Sequence, residues 1–241
     1  MKYGFFSDIH GNLEASRAIL SFFQEEQVHR LIFLGDAVGY GADPNEVIAL
    51  LKETDSLCIA GNHDWAALGK FDISYFNQVA YEALLWTKKV LNPGAVSFLY
   101  SVPLLYEQRN FVCVHASLYE PSNFHYIMNT HAAQDSFSLL KKRICFIGHT
   151  HSREVYALKR NKITLMTDES LTIDEKSQYI VNVGSVGQPR DRDWRASLCI
   201  FDETEGQIIF KRIEYDVKKA ADKIITAGLP PFLAQRLYGG Y

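Results

Sequence analysis

Along this chain, short apolar runs stop abruptly at small clusters of polar residues. Lys2–Ser7 runs into Asp8-Ile9-His10-Gly11-Asn12, Arg30–Leu34 into Gly35-Asp36, and Leu57–Ala60 into Gly61-Asn62-His63-Asp64. Phe111–Val114 ends at His115, and Ile144–Ile147 ends at Gly148-His149-Thr150-His151. Runs of this length, bounded by Gly and Asn or Asp, predict buried strands. Helical periodicity fills the early gaps. Leu13–Gln27 carries Leu13, Ile19, Leu20 and Phe23 at helical spacing behind Asn12 as N-cap. Asp43-Pro44-Asn45-Glu46 reads as N-cap, proline at the first helical position and capping-box acid, opening a helix to Glu53. A further helix is expected over Phe76–Val90. The order β-α-β-α-β predicts parallel strands with right-handed crossovers. The second half changes character: Glu154–Leu158, Lys162–Met166, Tyr179–Val183, Ser197–Phe201 and Gln207–Ile213 are strand-like with short connections. They predict a second, largely antiparallel sheet packed on the first. A last helix is expected from Asp216 to near Gly228, stopped by Leu229-Pro230-Pro231. The expected fold is α/β: two mixed β-sheets flanked by helices, as a single domain over residues 1–241.

Composition sharpens this only slightly. Of 241 residues, 47% are hydrophobic and 22% charged, enough apolar surface to offset ordering entropy and exclude a disordered chain. Lys+Arg is 25 against 28 for Asp+Glu, a net charge of -3 that argues against long nucleic acids or anionic membranes as partners. No apolar run approaches the ~20 residues a bilayer span needs, and the N-terminus turns polar too soon for a signal peptide. A cytoplasmic protein without a membrane partner is expected; a homo-oligomer is left open. Cys58, Cys113, Cys145 and Cys199 each sit in an apolar run outside any C-x-x-C pair. They are expected as free thiols packed like small hydrophobes.

The polar clusters carry the chemistry. In open α/β sheets ligands gather beyond the carboxyl ends of the strands. That edge receives Asp8, His10, Asp36, Asn62, His63, His115, His149 and His151, five of the chain's eight histidines among them. Carboxylate, imidazole and carboxamide donors suit Mn, Fe, Zn, Co or Ni rather than a thiol-selected metal. In an extended segment residues i and i+2 point the same way. Asp8 and His10 would then converge on one ion, as would His149 and His151 if their loop stays extended, and the two pairs could serve neighbouring ions. Asp36, with two oxygens, could bridge two metals, and two ions ~3.5–4 Å apart clamp the attacking and leaving oxygens of a phosphoryl transfer. Two divalent ions carry four positive charges, of which Asp8 and Asp36 neutralise two, so the site favours an anionic substrate. His29, His125 and His131 fall outside the clusters and are expected to be structural or exposed.

The series Asp8-x-His10, Gly35-Asp36, Gly61-Asn62-His63-Asp64, His115 and Gly148-His149-x-His151 resembles the calcineurin-like metallophosphoesterase superfamily, motif by motif over residues 1 to about 151. Val181–Arg190 further resembles its bacterial and archaeal branch of small phosphodiesterases. The resemblance implies a four-layer α/β/β/α sandwich. It also implies two divalent transition-metal ions, manganese favoured: Asp8, His10, Asp36 and His151 hold one, and Asp36, Asn62, His115 and His149 the other. His63 is implied to be a proton donor near the leaving oxygen rather than a ligand. The implied reaction is hydrolysis of phosphodiesters, phosphomonoesters or both by in-line attack of a metal-bridging hydroxide. Asp64 either orients His63 or caps the local turn. Gly35–Gly41 lacks the second Asp and the Arg that follow this motif in serine/threonine phosphoprotein phosphatases, and the Arg also found in dinucleoside-tetraphosphate hydrolases. Both substrate classes lose support. Tyr40 and Arg190 are the expected contacts to a small phosphate-ester substrate, and residues 119–130, with Phe124, His125 and Tyr126, are placed to overhang the metals. The rest of residues 191–194 is expected as a local salt-bridge set with a packed Trp194. A non-catalytic metal-binding scaffold is the alternative, as in the retromer subunit of similar fold. His63 beside a complete ligand set favours the enzyme.

Overall fold

Strand β1 (Lys2–Phe6) is apolar on both faces, which is what a central strand covered on both sides requires. Tyr3 and Phe5 point one way into a core with Phe111, Phe146, Val181 and Phe201, while Phe6 points the other way onto Phe23 and Phe33. Gly4 lies under the Phe23 ring, where an added Cβ would come within 2.6 Å of it. The computed structural model describes residues 1–241.

Two six-stranded sheets form. In the first, β3 (Leu57–Cys58), β2 (Arg30–Phe33) and β1 run parallel. The sheet continues antiparallel through β11 (Ala196–Asp202), β12 (Gln207–Ile213) and β9 (Ser170–Thr172). The second has the order β4 (Leu105–Glu107), β5 (Phe111–Val114), β6 (Ile144–Ile147), β10 (Gln178–Val183), β7 (Arg153–Lys159) and β8 (Lys162–Met166). In it β5, β6 and β10 are parallel and the remaining pairs antiparallel.

The expectation that the second half builds a sheet of its own is corrected. β11 crosses back to pair with β1 and brings β12 into the first sheet, and β5 and β6 join the later strands. Local pattern cannot encode that exchange, because β1 and β11 are both apolar on each face and either could be central.

Period-2 alternation divides the side chains between layers. Ile144 and Phe146 of β6 face the inter-sheet core, where Phe146 stacks on Phe5 at 3.7 Å. Cys145 and Ile147 face outward onto helix α6 (Ala133–Leu139). Helices α1 (Leu13–Glu25), α2 (Pro44–Glu53) and α5 (Pro93–Ser101) cover the outer face of the first sheet. The result is the expected four-layer α/β/β/α sandwich. Each fully buried phenylalanine of this core contributes about 1.5–3 kcal/mol of transfer free energy.

Helix α3 (Asn62–Ala67) begins inside the third polar cluster, and α4 (Gln78–Val90) starts two residues later than expected. The prolines after α7 (Val217–Thr226) end that helix and open α8 (Pro231–Gly239), with Pro231 in its first turn. No helix is long and apolar enough to cross a membrane. Cys113, Cys145 and Cys199 are buried, Cys58 partly so, and all four are free.

Candidate metal centre

Five strand exits meet at one edge of the sandwich, and all eight predicted side chains are buried there. The backbone is not extended at these positions. Asp8, His10, Asp36, His149 and His151 all have positive φ, between 50° and 68°. Such left-handed turns are uncommon for residues with a Cβ and concentrate at functional sites, where surrounding bonds hold them. This corrects the extended i, i+2 expectation. Asp8 and His10 do converge, but by turning, and His149 and His151 part to different groups. Asp8 and His10 gather with His151, whereas His149 gathers with Asp36 and His115. His63 forms a third group with His10 and Asp36.

Each aspartate spends one oxygen on a neighbouring loop and turns the other inward. His149 N–H donates to Asp8 Oδ2 at 2.9 Å, and His63 N–H donates to Asp36 Oδ1 at 2.8 Å. Asp8 Oδ1 then lies 3.8 Å from His10 Nε2 and 3.3 Å from His151 Nε2. Asp36 Oδ2 lies between the groups, 3.7 Å from His10 Nε2 and 3.4 Å from His115 Nε2.

Backbone carbonyls select the histidine tautomers. The Nδ1 atoms of His10, His115 and His151 face the carbonyls of Val38, Leu34 and Gln188 at 2.9, 2.7 and 2.6 Å. A carbonyl only accepts, so each Nδ1 carries a proton and each ring, when neutral, turns a bare Nε2 lone pair inward. His10 and His151 thereby bring two lone pairs to 3.0 Å, a repulsion that a proton or a metal ion between them relieves. The triangle of His10 Nε2, His151 Nε2 and Asp8 Oδ1 has a circumradius of about 2.0 Å. Metal–nitrogen and metal–oxygen bonds are about 2.0–2.2 Å, so a single ion fits all three. Asp8 Oδ1, Asn62 Oδ1, His115 Nε2 and His149 Nε2 are buried with no hydrogen-bond partner. Buried polar atoms are seldom left so, and four together, each able to act as an acceptor, describe a cradle for cations.

Residues 1–206 match the family model of the calcineurin-like phosphoesterase superfamily domain. The chain belongs to the calcineurin-like phosphoesterase superfamily. It is 40% identical over 238 residues to an uncharacterized protein of Methanocaldococcus jannaschii, covering 97% of this chain and 96% of that one. The crystal structure of a metallophosphoesterase from Sphaerobacter thermophilus superposes with a TM-score of 0.88 at 34% identity, covering 100% and 99% of the two chains. A hypothetical protein from Pyrococcus horikoshii OT3 shares the fold, with a TM-score of 0.83 at 20% identity over 100% and 98%.

The phosphoesterase family is metal-dependent, and the electrostatics of this member match a site built for cations. Burial opposes charge on His115, but Asp36, aided by contact with that carboxylate and by Asp8, outweighs it and pushes the ring up to about 9. Burial lowers His10 and His149 well below the usual imidazole range. Asp36 is held low: His115 and His63 outweigh its burial.

Asp64 takes the bland role. Its carboxylate accepts from Asp36 N–H and Gly61 N–H at 2.9 and 3.1 Å, and from Ala37 N–H and Val38 N–H at 2.9 and 3.3 Å. It fixes the Asp36 loop and caps α3; these four bonds are to backbone, none to His63. Burial and then the Asp36 charge push the Asp64 carboxyl up, with the N–H donors pulling it down. Gly61 has to be glycine because an added Cβ would collide with the Asp36 carboxylate.

Residues 182–188 support the exits from behind. Asn182 Nδ2 donates to Gly148 O and Thr150 Oγ1, Ser185 Oγ donates to Asp8 O, and Gly187 N–H donates to Asp8 O. Arg190 leaves this segment towards the cleft. Its Nη2 donates to Gln188 Oε1 at 2.9 Å and to Tyr40 Oη at 3.3 Å, while its buried Nε has no partner. The neighbouring charges pair elsewhere: Asp193 with Arg195, and Asp191 with Arg212 of β12, so that set is not confined to its loop. Trp194 packs on Tyr215.

The His63 ring packs against His10, Tyr40 and Phe76, with centroids 4.6–4.7 Å apart. Burial holds it down to about 4 although Asp36 pulls it upward, and His151 and Arg190 add to the depression. A 750 Å³ cleft opens beside it, lined by Asn62, His63, His149, Tyr40 and Arg190 together with a group of aromatic residues. Phe124 and Tyr126 reach it from residues 119–130 as expected. Local sequence does not mark Phe71, Tyr75 and Phe76 as cleft residues; its periodicity makes Phe76 only the start of a helix. The one signal was three aromatics in six residues between two helices.

Proposed function

We propose that this protein is a dinuclear metal-dependent phosphoesterase acting on small phosphate esters. Asp8, His10, Asp36 and His151 hold one divalent transition ion; Asp36, Asn62, His115 and His149 hold the other. The observation that carries the reading is the set of four buried, partnerless acceptor atoms beside a cleft that Arg190 lines with a buried, partnerless Nε. The nitrogen and oxygen donor set supports Mn, Fe, Zn, Co or Ni, with manganese the first to supply. Bound there, such ions supply Lewis acidity to phosphoryl oxygens and lower the pKa of a water for in-line attack.

The chain's own residues do the rest. Asp36, set between the two groups, ties their spacing together. Arg190 offers N–H donors to a phosphoryl oxygen from the cleft side, and Gln188 and Tyr40 hold its guanidinium in place. Tyr40 also packs against both His10 and the His63 ring, which limits water around the reacting centre. His63 is neutral at pH 7 in the free protein, and the charge of a bound ester acts to raise its pKa. The ring is thereby placed to give a proton, or a hydrogen bond from N–H, to the leaving oxygen.

The test compares bis(p-nitrophenyl) phosphate with p-nitrophenyl phosphate, with Mn²⁺, Ni²⁺ or chelator added. Wild type is run beside Asp36→Asn and His63→Ala. Metal-dependent turnover is expected. Asp36→Asn should lose metal and activity together, whereas His63→Ala should keep both metals and lose about 10²–10⁴-fold in kcat. Turnover indifferent to chelator, or none on a broad ester panel, would refute the reading. Loss of metal from His63→Ala would make His63 a ligand.

A further inference from the structure

The cleft beside the cation cradle has a distinct chemistry. One wall is Phe71, Tyr75 and Phe76, and the other is Phe124 and Tyr126. Phe71 meets Phe124 edge to face at 5.4 Å, joining the two walls. Tyr126 stacks on His149 at 3.9 Å yet stays 52% exposed, and Tyr75 is 80% exposed at the mouth. Rings left open to water beside a reactive centre are costly unless something covers them. Phe124 is held with φ at 52°, a conformation that a bulky side chain rarely adopts, and this places its ring at the junction.

Some polar groups of the cleft are engaged within the protein. Asn77 Oδ1 accepts the Ala80 N–H, Asn123 Nδ2 donates to Glu120, and His125 pairs with Glu120. Apart from the histidines, Arg190 is the one charged side chain on the lining, and no carboxylate is there to grip hydroxyl groups. The aromatic walls outnumber these groups, and a flat ring would find faces and edges to stack on. His63 fixes the side. Its ring touches His10 in the cradle and Phe76 in the wall, so an ester oxygen protonated by His63 carries its substituent along that wall.

We infer that the cleft is a binding site for a planar aromatic leaving group, so that the natural substrate is a phosphate ester whose departing alcohol carries a ring. This rests on the phosphoesterase reading for the reaction, but the binding site stands on its own geometry. Hydrolysis balances simply: water adds to phosphorus, the bond from phosphorus to the leaving oxygen breaks, and that oxygen takes a proton to release the ring-bearing alcohol.

The test uses matched pairs. The 2-phenylethyl and 2-cyclohexylethyl phosphates, as monoesters and as methyl diesters, have alcohol leaving groups of nearly equal acidity and differ in flatness. Cyclohexyl is the more hydrophobic, so bare burial would favour it. Metal-loaded protein is assayed for kcat/KM, and calorimetry measures binding of the carbon-linked analogues 3-phenylpropylphosphonate and 3-cyclohexylpropylphosphonate, which cannot be hydrolysed. The phenyl member should be preferred about tenfold in both measurements, the scale of one ring stack. Tyr75→Ala and Phe71→Leu should each move that ratio towards one; the exposed Tyr75 keeps the test open if Phe71→Leu does not fold. A phosphonate ratio at or below one, no binding of either, or a ratio unmoved by Tyr75→Ala overturns the inference, even if every ester is hydrolysed. A phenyl preference in binding without hydrolysis of any ester sinks the phosphoesterase reading and leaves the cleft assignment standing.

Discussion

Asp64→Asn separates two roles that the sequence leaves equal. In the structure, Asp64 Oδ2 accepts from Asp36 N–H and Gly61 N–H, and Oδ1 from Ala37 N–H and Val38 N–H. Asparagine has the same shape but keeps only one acceptor oxygen. Whichever way its amide turns, two buried N–H groups lose their acceptor and face an NH₂ donor. Each such orphan costs about 1–3 kcal/mol. Removing the charge works the other way, since it relieves burial and repulsion from Asp36. The net loss should be about 2–4 kcal/mol, which for a chain of this size lowers Tm by about 10 °C. The same displacement loosens the turn that aims Asp36, so metal occupancy at limiting Mn²⁺ should fall in parallel. Thermal melts with and without Mn²⁺, together with metal analysis, read both effects. Unchanged Tm and metal content with a fall in kcat like that of His63→Ala would refute the argument and make Asp64 a partner of His63 instead.

Gly61→Ala puts a methyl against the Asp36 carboxylate and 2.6 Å from Asp36 N. It should cost about 1–3 kcal/mol and reduce bound metal, both read by melting and elemental analysis. For His115, the folded pKa near 9 lies above its unfolded value, so its contribution to metal-free stability is full below pH 6.5 and is lost as pH rises through about 9. Metal requires the neutral ring. Loading Mn²⁺ at pH 7 should therefore release about one proton from this residue, fading above pH 9, as followed with an indicator dye in weak buffer; no release from wild type at pH 7 would count against it.

Much of the site was legible because its parts are local. Each ligand-type residue follows directly on an apolar run, and strand exits in such sheets face one edge. The left-handed turns were not legible, because only Gly11, Gly35 and Gly39 nearby advertise positive φ, while Asp8, His10, Asp36, His149 and His151 adopt it under restraint from other loops. Asp8 and His10 therefore meet as their i, i+2 spacing predicts, but on a left-handed backbone, while His149 and His151 diverge. Phe71, Tyr75 and Phe76 were missed for a related reason: aromatics between helices look like core until the opposite wall is known.

By itself the sequence determined ten of the twelve strands, four of the eight α-helices and the eight residues of the cluster, since these depend on periodicity and on neighbours along the chain. Which strands share a sheet, which histidines share a cation group and which rings line the cleft were decided only by tertiary structure. Those choices depend on contacts between residues as distant as His10 and His151, or Tyr40 and Arg190. Such pairs interact only once the chain has folded, and no local pattern records them.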